Sequence, residues 1–275
     1  MDYKTQGMVN LGNTCFLNSL TQVMRQLNKK SQQLIKQDHP DLYKHMYREN
    51  DVRKLYNFLF STKLGNAESV TATYSLLTDV LNCGKDNGVA DEIFGLYEGH
   101  RSTSYTLMIP PQWKGTLTNH ICDCAKKYDF TECKENLVIT FQGECMQSEP
   151  LPYEITCFDK KYLFAGTVLG NTVHAVAIVG TEEVGVFLMV DDSSVKKMRK
   201  DPTTRQTLMI FYTLDDGTRR LSVKEKPQEE AYEGVRTQKS ESFKRAKIAP
   251  IEYEESNTVP KPSKIGDMNY ETGKN

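Results

Sequence analysis

Apolar residues recur at steps of three and four along the first third of the chain and in short continuous runs along most of the rest. Phe16, Leu17, Leu20, Val23, Met24 and Leu27 form one stripe of a helix that begins at about Thr14 or Cys15. Pro40, shortly after Asp38, suits the first turn of a second helix, which carries Leu42, Tyr43, Met46, Leu55, Tyr56 and Leu59 and breaks near Asn50. A third helical pattern, Val70, Tyr74, Leu77, Val80 and Leu81, stops at the turn signal Cys83-Gly84. The runs at 105–109, 137–141, 162–169, 174–179, 186–190 and 208–213 read as strands. Helices first and strands later predict an α+β fold with an antiparallel sheet.

The pattern fades near Asp215. Beyond it apolar residues are sparse, acidic and basic side chains mix without period, and Pro227, Pro250, Pro260 and Pro262 interrupt the segment. The chain is therefore expected to divide into a folded region at 1–215 and a charged, disordered tail at 216–275. The basic cluster Lys244, Arg245 and Lys247 in that tail reads as a solvated group.

Composition narrows the function classes. Lys plus Arg (35) nearly cancels Asp plus Glu (36), so no global field draws the protein to nucleic acid or to a membrane surface. No long apolar run and no signal-peptide pattern is present, and the seven cysteines are odd in number and scattered. These features predict free thiols in a reducing compartment, cytoplasmic with the nucleus as an alternative, and a monomer. No Gly-rich phosphate loop, Gly-x-Ser-x-Gly elbow or His-Glu-x-x-His helix occurs, and no cofactor is expected.

Three residues carry candidate chemistry. Cys15 stands at a predicted helix start, where unpaired backbone N–H groups and a partial positive charge suit a nucleophilic thiol. A thiol that performs acyl transfer needs a base and a group to orient that base. His39, His45, His100 and His120 lie among polar neighbours and read as surface residues, whereas His174 opens a strand. The following strand ends in Asp191-Asp192. A hairpin folded about Glu182 and Glu183 sets Asp191 opposite His174, and a slip of one residue substitutes Asp192.

The segment Val9-Asn10-Leu11-Gly12-Asn13-Thr14-Cys15-Phe16-Leu17-Asn18-Ser19-Leu20-Thr21-Gln22 resembles the cysteine box of the ubiquitin-specific proteases. His174 to Val179 with Val190-Asp191-Asp192-Ser193-Ser194-Val195 is similar to the family's histidine box, and Leu208-Met209-Ile210-Phe211-Tyr212 to its closing strand. The resemblance implies a papain-like fold with helical thumb, antiparallel β palm and reduced fingers, and an activity that hydrolyses the bond after the C-terminal glycine of ubiquitin. It implies Cys15 as nucleophile, His174 as general base, Asp191 as orienting acid with Asp192 as a secondary acid, and Asn10 as oxyanion donor. Glu68 falls where the family places a carboxylate that holds the ubiquitin tail.

The departures are specific. Val173-His174-Ala175 replaces Gly-His-Tyr, and Phe187-Leu188-Met189-Val190 replaces an aromatic-rich stretch. Cys122, Cys124, Cys133 and Cys145 supply thiols without Cys-x-x-Cys spacing, so no bound metal is expected. Three readings remain open: a deubiquitinating peptidase, a peptidase of the same fold acting on a ubiquitin-like modifier or polyprotein, and a non-catalytic ubiquitin-binding scaffold.

Overall fold

The fold follows from a sheet whose two faces are both covered, which is why its strands read as continuous apolar runs rather than as alternation. In the computed structural model the described residues are 6–62, 69–83, 88–145, 147–171, 173–181, 183 and 185–217. Glu68 and all of the expected tail beyond Gly217 lie outside them.

The helices are α1 (Cys15–Met24), α2 (Lys29–Asp38), α3 (Pro40–Tyr43), α4 (Val52–Thr62), α5 (Val70–Leu81), α6 (Val89–Phe94) and α7 (Leu117–Lys127). The strands are β1 (Leu96–Glu98), β2 (Arg101–Ser104), β3 (Leu107–Ile109), β4 (Glu132–Cys133), β5 (Asn136–Phe141), β6 (Glu154–Cys157), β7 (Lys160–Gly170), β8 (Ala175–Gly180), β9 (Phe187–Asp191), β10 (Ser194–Met198) and β11 (Thr207–Leu214). The large sheet runs β10-β9-β8-β7-β11-β5-β3, with β6 on one end of β7. Its pairings are antiparallel except β3 with β5, which is parallel. A small sheet, β2-β1-β4, stands apart.

Alternation along each strand divides the core in two. Val138, Ala177, Val179, Met209 and Phe211 face the layer built by α1 to α6. Leu137, Ile139, Ile178, Ile210 and Tyr212 lie in a second cluster, with the buried side chains of α7, β3 and β6. Helix α1 packs against β7, β8 and β9 with every residue from Cys15 to Met24 buried, an unusual burial for a helix carrying Asn18, Thr21 and Gln22.

Three helices escape the periodic reading, each for a physical reason. In α2 only Ser31 and Ile35 are buried, α6 is six residues long, and the buried stripe of α7 is short and includes a cysteine, Cys124, acting as a small apolar residue. The break expected near Asn50 is a left-handed residue, φ 52°, that ends a π-helical run from Lys44 to Glu49.

That run builds a charge cluster with a consequence in acid. The Glu49 carboxylate receives His45 Nδ1 at 2.9 Å, Lys44 Nζ at 3.3 Å and Lys54 Nζ at 3.4 Å. The hydrogen bond from His45, then those from the lysines, pulls its pKa from the ordinary 4.5 to about 2. A folded value below the unfolded one contributes stability that is present above pH 4.5 and is lost as pH falls toward 2. Glu49→Gln is therefore expected to flatten part of the acid limb of the stability–pH curve, followed by chemical denaturation at stepped pH. Superposable acid limbs would show that solvent screening cancels the cluster.

Candidate active site

The site forms where α1 starts against the turn between β9 and β10. That turn is two residues, Asp192-Ser193, because Asp191 pairs with Ser194, and Asp192 takes a left-handed φ of 49°. Its backbone is gripped by the segment before α1: Met8 N donates to Asp192 O at 2.8 Å. Gly7 makes this approach possible, since a Cβ there would lie 2.6 Å from Asp192 O. The same segment is tied from behind by buried Arg25, whose Nε donates to Met46 O at 2.6 Å, Nη2 to Asn50 Oδ1 at 2.9 Å and Nη1 to Gln6 O at 3.4 Å. Burial lowers the Arg25 pKa to about 10, which leaves the guanidinium charged at neutral pH.

The Asp192 carboxylate is held at both oxygens. Asn10 Nδ2 donates to Oδ2 at 2.9 Å and Asn18 Nδ2 to Oδ1 at 2.7 Å. Asn18 lies three positions after Cys15, one turn along the same face of α1, so this bond pins the start of the thiol-bearing helix to the β9–β10 turn. Asn18 was not among the residues singled out from the sequence, although its helical spacing from Cys15 is a readable signal. Asn10 Oδ1 meanwhile accepts from Gly12 N at 2.9 Å and from Thr14 Oγ1 at 3.3 Å, which shapes the loop into α1.

His174 immediately precedes β8 and is set by a second asparagine turn: Asn171 Oδ1 accepts from Val173 N at 2.8 Å and from His174 N at 3.0 Å. Its ring Nε2 lies 2.8 Å from Asp191 Oδ1. With the Nε2 proton donated to Asp191, Nδ1 is the nitrogen that presents a lone pair.

The hairpin register differs from the sequence expectation. Ala177 pairs with Val190 and Ile178 with Met189, so the strands are displaced by two residues from a fold about Glu182 and Glu183. Extending this register sets Asp191 across from Val176, with His174 its diagonal neighbour. A displacement of two preserves which face a side chain occupies, and so the contact with His174 survives.

Asp192 requires a second correction. Strand alternation, with Asp191 toward His174, would turn Asp192 to the far side of its strand; it is instead a turn residue, and donor atoms of His174, Asp191 and Asp192 come within 4.8 Å of one another. This is the one cluster of metal-ligating type among the described residues, and the hydrogen bonds to Asn10 and Asn18 already occupy both oxygens of Asp192.

Cys15 is the first residue of α1, 5% exposed, and no side chain caps the first turn. Among the described residues no hydrogen bond joins its thiol to His174. Val173, 82% exposed, immediately precedes His174, and Val9 and Leu11, also exposed, flank Asn10 in the chain. Elsewhere, His39, His45 and His120 are half-buried and partnered rather than free on the surface: His39 meets Leu81 O, His45 meets Glu49, and His120 stacks on Trp113. Cys122, Cys124, Cys133 and Cys145 are spread over α7, β4 and a loop and do not converge on a metal-ligating cluster among the described residues.

No protein-family model and no curated protein sequence matches the chain. Solved structures do. The Ubp8/Sgf11/Sus1/Sgf73 DUB module of SAGA aligns over 78% of this chain and 68% of that one, at 14% identity and a TM-score of 0.54. The same module bound to ubiquitin aldehyde aligns over 78% and 70%, at 13% identity and a TM-score of 0.52. An essential yeast splicing factor aligns over 77% and 70%, at 10% identity and a TM-score of 0.53. The chain thus has a deubiquitinase-like α+β fold. Several of these neighbours are subunits of multi-protein modules, so the expected monomer gains no support from them.

Proposed function

We propose that this chain is a thiol-dependent peptidase that hydrolyses the peptide or isopeptide bond after the C-terminal glycine of ubiquitin. The observation that carries this reading is the His174–Asp191 contact, set beside an Asp192 turn that Asn18 locks to the start of the Cys15 helix. In this reading Cys15 Sγ attacks the scissile carbonyl and His174 Nδ1 takes the thiol proton, then returns it to the leaving amine. Asp191 holds the imidazole in one tautomer and balances the imidazolium. Asn10 and the uncapped first-turn amides of α1 face the developing oxyanion, a role worth on the order of 3 kcal/mol per donor. Water then releases the thioester. Ubiquitin as partner is supported at the level of the fold by the ubiquitin-bound neighbour.

The exposed Val173 and buried Ala175 flank His174 where the family resemblance calls for glycine and tyrosine, so in this reading the contacts offered to a substrate tail differ from those the resemblance implies. This favours keeping a ubiquitin-like modifier or a polyprotein as the alternative substrate. A non-catalytic scaffold is the second reading, favoured by the nearly covered Cys15 thiol, not bonded to His174, and by the splicing factor that shares the fold.

One experiment separates the three. The chain is incubated with ubiquitin, and separately with ubiquitin-like modifiers, each carrying a thiol-reactive electrophile at its C-terminus, and adducts are located by mass. A ubiquitin adduct on Cys15 is the expected result. An adduct only with another modifier moves the substrate class, and binding of ubiquitin without any adduct replaces the peptidase by a scaffold.

A further inference from the structure

The segment that grips the Asp192 turn is itself held by an asparagine far from it in the chain. Asn50, half-buried, is the left-handed residue that ends the π-helical run from Lys44 to Glu49, with φ 52° and ψ 32°. Its Oδ1 accepts from Arg25 Nη2 at 2.9 Å, and its Nδ2 donates to Gly7 O at 3.1 Å. A side-chain amide meets both demands at once, because a guanidinium only donates and a carbonyl only accepts. Asparagine also tolerates this backbone conformation better than most residues with a Cβ.

Arg25 completes the bridge. The guanidinium is 1% exposed, and its partners among the described residues are neutral oxygens, Met46 O, Gln6 O and Asn50 Oδ1, rather than a carboxylate. A buried charge without a counter-ion needs its donors satisfied, so these oxygens are held in place. Gln22 Nε2 adds a further tie, 2.7 Å to Gln6 O. The carbonyls of Gln6 and Gly7 are thus bonded to α1 and to the end of the π-helical run, while the next amide, Met8 N, reaches Asp192 O at 2.8 Å. Two residues further along the same strap is Asn10, whose Nδ2 meets the Asp192 carboxylate.

We infer that Asn50 is a positioning residue for the Cys15 site: through Gly7 it fixes the strap that aligns Asn10 and the Asp192 turn with the start of α1. Its side chain is bonded to Arg25 and Gly7 and not to Cys15, His174 or Asp191, so it acts at one remove. The effect on turnover rests on the peptidase reading above; the coupling of Asn50 to the strap does not. For a reacting group displaced by about 1 Å, the loss of rate is on the order of a hundredfold.

The decisive variant is Asn50→Asp in the full chain. It keeps the side-chain shape and the acceptor for Arg25, and sets a second oxygen where Gly7 O requires a donor. Asn50→Gly, which keeps the backbone conformation and removes both bonds, is the second variant. The first measurement is independent of activity: amide hydrogen exchange followed by NMR. In both variants the Met8 amide is expected to exchange at least about tenfold faster, a larger factor than the amides of β11, which report global opening. The second is steady-state cleavage of a ubiquitin C-terminal amide at matched folded fraction, where kcat should fall by about ten- to a hundredfold with KM within about twofold of the parent. Met8 exchange that rises no more than that of β11 would overturn the coupling. Selective release of Met8 with parental kcat would confine Asn50 to stability and overturn the positioning role. A parent without turnover would remove the peptidase reading instead, and the positioning role is then judged on the side-chain amide signals of Asn10 and Asn18, which should shift in Asn50→Asp; unchanged signals would overturn it.

Discussion

Cys15→Ala is expected to reduce cleavage of a ubiquitin C-terminal amide to background, a loss of about four orders of magnitude or more, because no other group can form the acyl intermediate. The fold should survive the change. Cys15 is a small residue at the first position of α1, and removing one sulfur from a nearly covered site costs on the order of 1 kcal/mol. The measurement is initial rate at matched folded fraction, with Tm as the control. Turnover that persists in a folded Cys15→Ala protein would remove the thiol from the reaction, and the peptidase reading with it.

The two aspartates should fail in different ways, and the difference is decided by their hydrogen bonds. Asp191 and His174 are partly exposed, with side chains 45% and 42% accessible, so their contact contributes at most about 1 kcal/mol to stability. Asp191→Ala is accordingly expected to leave Tm close to the parent while turnover falls on the order of 10³- to 10⁴-fold, through loss of the tautomer and of imidazolium balance. Asp192→Ala removes the acceptor of both Asn10 and Asn18. Asn18 is 1% exposed, and depriving its amide of a charged acceptor costs about 1 to 3 kcal/mol. Tm should therefore drop, and turnover should fall as Asn10 loses its orientation, by up to about 10²- to 10³-fold, the scale seen when an oxyanion donor is removed outright. An Asp192→Ala variant with parental Tm and parental turnover would show that the asparagine bonds are dispensable. A larger loss of turnover from Asp192→Ala than from Asp191→Ala would transfer the orienting role to the turn.

The contrast between these residues shows where the sequence reading stops. From the strand pattern alone, Asp192 faces away from His174 and its removal should be mild. The two-residue turn with its left-handed Asp192 overrides that alternation, since a residue at φ 49° no longer obeys the period of two that places strand side chains. Likewise the hairpin register rests on the turn at 181–186, and local propensity constrains a six-residue connection too weakly to fix it.

Periodicity and chemistry by themselves determined a good part of this protein. The spacing of Phe16, Leu17, Leu20, Val23 and Met24 dictates α1, and with it the placement of Cys15 at a helix start, because an apolar stripe can be buried in only one phase. The runs of β5, β7, β8, β9 and β11 read as strands of an antiparallel sheet, since short apolar runs bounded by turn signals suit buried strands. The tertiary structure alone decided how distant segments meet. Gly7 and Met8 reach the Asp192 turn, Arg25 reaches Gln6, Asn18 reaches Asp192, and Cys122 reaches Thr156 across chain separations that no local pattern encodes. Such contacts form only after the layers close, when each buried amide, guanidinium or thiol must find its partner within the space the packed elements leave it.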